Sequence, residues 1–159
     1  MTKQIPSEVA QKEIVELLEE TFDKVKGIYL DGGTSLFETL SSVSAEEASI
    51  PITASGTSIA AQVDHIRFYL EANRDYIRGV DRGKIDWKQS WRDNEVSPEE
   101  WQQLIVNLRE ERDRFVELLN NFEDWTKQGN LLDTISAAVH SAYHLGAIRQ
   151  ILRVVKERD

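Results

Sequence analysis

Apolar residues return at helical spacing over four long stretches of the chain, and no stretch alternates with the period of a strand. From Ser7, the expected cap, to about Lys26, the residues Ala10, Ile14, Leu17, Leu18, Phe22 and Val25 recur every three or four positions, with acids early and lysines late. Asp31-Gly32-Gly33 breaks this pattern, Ser35 to Leu40 predicts a short helix, and Ser44 to Glu47 predicts a further single turn. Ile50 is held extended by Pro51, after which Gly56-Thr57-Ser58 offers a cap for a second long helix reaching about Arg78. The apolar residues of that helix cover more than one stripe, the pattern of a helix buried on several sides. A connection follows from Gly79 to Val96. Stretched at ~3.3 Å per residue it is long enough to run the length of a bundle, so spacing alone leaves the helix directions open.

Ser97-Pro98-Glu99-Glu100 starts a third helix, with Ser97 as cap, proline at the first helical position and Glu100 closing a capping box. Its stripe (Trp101, Leu104, Ile105, Leu108, Phe115, Leu118, Leu119) continues to about Asn121, but Glu111 and Arg112 stand where apolar side chains are called for. A charge turned into a core costs several kcal/mol unless paired or solvated. A polar break there suggests that a wet cavity or a buried partner lies opposite. Alternatively, a slight rotation puts both residues at the surface, paired with neighbours one turn away. If the break is functional, at least one of them borders the metal cavity. In that case Arg112 would hold an anionic group, or Glu111 would orient a histidine. Lys127-Gln128-Gly129-Asn130 reads as a turn, and Leu131 to about Lys156 as the fourth helix. The fold class is all-α, a four-helix bundle with short extra helices between the first and second long ones.

With 159 residues, no repeat and no low-complexity tract, the chain fits one domain spanning 1–159. The 28 acidic and 19 basic residues leave a formal charge of -9, which repels phosphate backbones and anionic bilayers, so neither nucleic acid nor membrane is expected as a partner. Met1 to Glu8 has no apolar core of the signal-peptide kind, and no apolar run approaches ~18 residues; the expected setting is cytoplasmic. There is no cysteine. Disulfides, thiolate metal ligands and an internal thiol nucleophile are thereby excluded, and any thiol chemistry must use a thiol from outside.

The fourth helix carries His140 and His144, two of the three histidines. A spacing of four puts both rings on one face, about 6 Å apart along the axis, together with the core stripe Ala137, Ala147, Ile148, Ile151 and Val155. His65 lies on the inward line Ala61, His65, Phe68, Ala72 of the second helix. Three neutral imidazoles can hold a divalent ion and leave a fourth position for water or substrate, as catalytic zinc sites do. The plainer alternative is that two helices carry buried, hydrogen-bonded histidines. Asp133, two turns before His140, is a candidate base or gate, although an acid near a helix start also suits the helix dipole. Tyr69 and Tyr143 are candidate donors but also ordinary core or rim residues, and Trp87, Trp91, Trp101 and Trp125 could line a pocket or a dimer seam, with capping of the bundle ends the plainer expectation.

The sequences Gln62-Val63-Asp64-His65-Ile66 and His140-Ser141-Ala142-Tyr143-His144-Leu145-Gly146 resemble the histidine motifs of the DinB-like superfamily of metal-binding bundles. The stretch from Ser35-Leu36-Phe37 to Ser58-Ile59 is similar to that family's short helices. The resemblance implies an up-down-down-up bundle, commonly dimeric, with zinc or nickel held by His65, His140 and His144. It further implies a transferase or isomerase that uses a low-molecular-weight thiol and acts on a small molecule. The family motif often carries a histidine before the last ligand and a glutamine after the glycine; Tyr143 and Ala147 stand there instead. The alternatives to thiol transfer are a metal-dependent hydrolase, which would activate water in the same position, and a non-catalytic metal or small-ligand binding protein of stress response.

Overall fold

Local capping sets where most of the helices begin. The computed structural model describes residues 5–53, 55–91, 95–123, 125 and 129–158. Six α-helices occur among them: α1 Ser7–Phe22, α2 Leu36–Leu40, α3 Ala45–Ser49, α4 Ile59–Ile77, α5 Pro98–Asn120 and α6 Asn130–Lys156. A 3-10 turn at Trp87–Trp91 lies in the connection between α4 and α5, and no strand occurs among the described residues. The expected entry into α5 is realised: Ser97 accepts from the Glu100 amide at 3.2 Å, and Glu100 accepts from the Ser97 amide at 2.7 Å. Ser58 caps α4 by accepting from Ala61 N, and Ser44 caps α3 by accepting from Glu47 N. Of the turn expected before α6, Lys127 and Gln128 lie outside the described residues, as do Met1 to Gln4. Gly129 precedes α6 with φ +99°, a conformation only glycine adopts without strain.

Two boundaries differ from the expected ones. Pro6 occupies the cap position of α1 and Ser7 is already helical, because proline presets φ while its carbonyl accepts from Val9 N and Ala10 N. The same helix stops at Phe22, well short of Lys26. The buried Glu20 carboxylate draws the chain into a turn by accepting from the amides of Lys26, Ile28, Tyr29 and Leu30 at 2.7–3.2 Å. Burial alone would raise this carboxyl's pKa, but the four amides outweigh it and hold it below the ordinary range.

The long helices meet through named contacts. Asp64 and Arg67 of α4 share a surface hollow with Glu100, Gln103 and Asn107 of α5, while Arg74 and Arg78 share another with Arg114, Glu117 and Asn121. These two helices therefore run the same way. In contrast α6 runs against α4, since Gln62 meets His144 and Asn73 meets Asp133. Likewise α1 runs against α5: Gln11 Nε2 donates to the Leu119 carbonyl at 2.7 Å, and Asp23 pairs with Arg112. Leu18, Phe22, Ile66, Leu108, Phe115 and Ile148 fill the space between them and are fully buried. No helix among the described residues is long and apolar enough to cross a membrane.

Candidate metal centre

A run of small residues lets α6 come close to α4 at the histidines. Ala137 and Ser141 are fully buried, and Ser141 Oγ is satisfied within its own helix by donating to the Ala137 carbonyl at 2.8 Å. His140 and His144 face α4 one turn apart, and His65 faces them from the other side. The ring centroids lie 5.0 Å (His65 to His140), 4.7 Å (His65 to His144) and 4.4 Å (His140 to His144) apart. One nitrogen from each ring can be chosen so that all three lie within 4.8 Å of one another. An ion bonded to each at about 2.1 Å asks for a tetrahedral edge of roughly 3.4 Å, so the three rings would have to draw closer around it.

These residues fit a divalent cation on two further counts. The Nε2 of His140 is buried with no hydrogen-bond partner, a cost that a bound cation would remove. All three rings are also held in the neutral, ligating form. Burial, helped by the neighbouring His140 and His65 rings, pushes His144 down to about 3. Burial and the His65 ring push His140 down to about 4. Burial lowers His65 as well, against a small opposing pull from Asp64.

Two of the rings are gripped at their outer nitrogens. His144 Nδ1 lies 2.6 Å from Gln62 Oε1, and His65 Nδ1 lies 2.7 Å from Ser90 Oγ. Neither partner was apparent from sequence. Gln62 carries a usable signal, a polar residue turned inward on a helix buried on several sides, whereas Ser90 sits in a connection without periodicity. That connection also supplies walls. Trp91 stacks on His65 at 4.0 Å and 21°, Tyr69 stacks on His140 at 3.7 Å and 16°, and Trp87 packs edge-on against Phe68 and tilted against Tyr69. Trp91 thus lies directly on the histidines and Trp87 reaches them only through Tyr69, the pocket-lining alternative and not the end-capping one. Tyr143 touches His144 with its edge but projects mostly into solvent.

The remaining candidates stand elsewhere. Asp133 is not among the clustered ligands. Its carbonyl accepts from Asn73 Nδ2 at 2.8 Å, its Oδ2 is buried without a partner, and burial raises its carboxyl. Glu111 is only 3% exposed, so no rotation brings it to the surface, yet it does not reach a histidine. It accepts from Arg74 Nε of α4 at 2.6 Å and pairs with Arg114 at 3.2 Å. Arg112 pairs with Asp23 at the end of α1 and with Asp113. The polar break in the third-helix stripe is therefore an interhelical ion-pair cluster: of the outcomes left open a buried partner is found opposite Glu111, and neither residue pairs with a histidine. Trp101 and Trp125 are likewise remote from the rings, donating to the carbonyls of Val43 and Phe122.

Compared with known proteins, the chain matches no family model, and no curated protein or solved structure matches it significantly.

Proposed function

We propose that this chain is a DinB-like, metal-binding protein in which His65, His140 and His144 hold one divalent ion, zinc or nickel, and that it transfers a low-molecular-weight thiol to an electrophile. The observation that carries the metal reading is the convergence of three neutral imidazoles within 4.8 Å around the unpartnered His140 Nε2. When bound, a divalent ion with three imidazole ligands keeps a position free and favours the deprotonated form of a thiol placed there. The chain's own residues orient the rings through Gln62 and Ser90, and Trp91 and Tyr69 keep water from the faces of His65 and His140. The absence of cysteine means that the sulfur comes from the co-substrate. The carbon–sulfur bond would form as the bond from that carbon to the leaving group breaks, its electron pair departing with the leaving group, while the thiol proton passes to solvent or to that group.

One observation favours a second reading, metal binding without catalysis. His65 and His144 are 7% and 5% exposed beneath aromatic rings, as in a site built to retain an ion. A panel of small biological thiols and model electrophiles, assayed with zinc-loaded, nickel-loaded and metal-free protein, separates the two. Thiol transfer is expected only in a loaded form. Equal rates with and without metal leave binding as the function.

We read the fold as an up-down-down-up four-helix bundle of α1, α4, α5 and α6. The parallel contacts of α4 with α5 and the antiparallel contacts of α4 with α6 and of α1 with α5 support that order. We further propose that the chain forms a homodimer through the outer face of α6. Leu132, Val139 and Tyr143 are exposed there, beside an apolar hollow of about 170 Å³ lined by Leu17, Tyr29, Ala138 and Ala142. Thr134 to Ile148 contains no Asp, Glu, Lys or Arg, so two chains of charge -9 can meet along this strip without opposing like charges directly. Sedimentation equilibrium is expected to give a dimer, and Val139→Lys a monomer with its metal content intact. A monomeric wild type at high micromolar concentration contradicts this.

A further inference from the structure

The geometry points to Gln62 and Ser90 as positioning residues that hold His144 and His65 as their Nδ1–H tautomers, leaving both Nε2 lone pairs for the ion; the inference rests on the metal reading above.

Which groups can donate decides the tautomers. Gln62 is buried on α4, and its amide is held at both ends: Nε2 donates to Thr57 Oγ1 at 2.7 Å, and Oε1 lies 2.6 Å from His144 Nδ1. An amide oxygen only accepts, so the proton in that contact belongs to His144 Nδ1. A neutral imidazole with Nδ1 protonated carries its lone pair on Nε2.

Ser90 performs the same service from the 3-10 turn. It is buried, and its hydroxyl donates to the Trp87 carbonyl at 3.0 Å. Serine has one proton to give, and the Trp87 carbonyl can only receive it, so both Ser90 contacts are hydrogen bonds together only when His65 Nδ1 donates. The Ser90 oxygen, 2.7 Å from His65 Nδ1, is therefore the acceptor of the His65 Nδ1–H bond. Two elements far apart in sequence impose the same tautomer on rings facing each other, and the third ring adds a buried Nε2 without a partner. Packing alone requires no such agreement. An ion between the rings requires it, because a proton on either inner nitrogen would block ligation.

Long-range proton–nitrogen NMR of the metal-free, histidine-labelled protein at neutral pH reads the tautomers directly. Both His65 and His144 are expected as Nδ1–H. Gln62→Met and Ser90→Ala should each turn the partner ring into a mixture of tautomers and weaken zinc affinity by about 10- to 100-fold, measured by competition with a chromophoric chelator. Gln62→Glu, which keeps an acceptor at the same place, should restore the Nδ1–H form and most of the affinity. Nε2–H signals in the wild type, or unchanged tautomers and affinity in both Gln62→Met and Ser90→Ala, would overturn the inference. If a variant fails to fold by circular dichroism, the wild-type tautomers decide alone. A wild type that shows both Nδ1–H forms but binds no zinc would defeat the metal reading while leaving the tautomer assignment standing.

Discussion

Replacing His144 with alanine is expected to lower divalent-metal affinity by roughly 100- to 1,000-fold. Structural zinc sites with four ligands contribute about 10–16 kcal/mol, so one ligand accounts for about 3–4 kcal/mol, or two to three decades in affinity. His144 is buried, directly faces both other rings and is oriented by Gln62, and among the described residues only His65 and His140 share its ligand cluster. His65→Ala and His140→Ala should act similarly, and any pair of substitutions should leave no stoichiometric metal after gel filtration. Acid should mimic the substitutions, since protons and metal compete for the same lone pairs. With His140 and His144 at about 4 and about 3 in the metal-free protein, release is expected below the ordinary histidine range. The same shifts set the sign for metal-free stability. Unfolded histidines take up protons near pH 6.5 while the folded rings resist, so stability falls as pH drops from about 6.5 towards 4. Metal content against pH, with circular dichroism to confirm folding, checks both statements.

Trp101→Ala is expected to be the most destabilising core substitution, at about 3–5 kcal/mol. Trp101 sits in the first turn of α5 at 1% exposure, and its indole Nε1 donates to the Val43 carbonyl at 2.9 Å, tying α5 to the segment between α2 and α3. Truncation removes the largest fully buried side chain of the described residues and leaves a buried carbonyl unpaired, which adds to the cavity cost. At about 2–4 °C per kcal/mol for a domain of this size, the midpoint of thermal unfolding should drop by roughly 10 °C. Trp101→Phe keeps most of the volume and loses only the hydrogen bond, so it should cost about 1–2 kcal/mol. Trp101 is not among the rings packed on the histidines, so the metal affinity of the folded fraction should be unchanged in both variants.

Local chemistry made much of this arrangement legible in the sequence. The Ser97-Pro98-Glu99-Glu100 start and the Ser58 cap are decided by residues within one turn, and both occur where their side chains place them. The histidine triad was equally readable, because two helical periodicities turn all three rings inward and the fold then brings them together. Long-range contacts decided the rest. The early end of α1 depends on Glu20 collecting amides up to ten residues away, which no periodicity announces. Glu111 looked like a candidate for the site because it interrupts an apolar stripe, and its actual partner, Arg74, belongs to another helix 37 positions earlier. Trp91 and Ser90 belong to a connection with no repeating pattern, and only the folded chain places one on the face of His65 and the other at its Nδ1. Gln62 stood in view, but its meaning depended on the fold bringing its amide oxygen to 2.6 Å from His144 Nδ1.

Cobalt substitution tests the central claim most directly. Titrating the metal-free protein with Co(II) at neutral pH should develop intense visible ligand-field bands that saturate at one equivalent per chain, as a low-coordinate site with three nitrogen ligands requires, and the bands should be lost in a His65→Ala/His144→Ala variant. Titration without such bands, or bands of equal strength in that variant, would contradict the assignment of His65, His140 and His144 as the ligands of a single divalent ion.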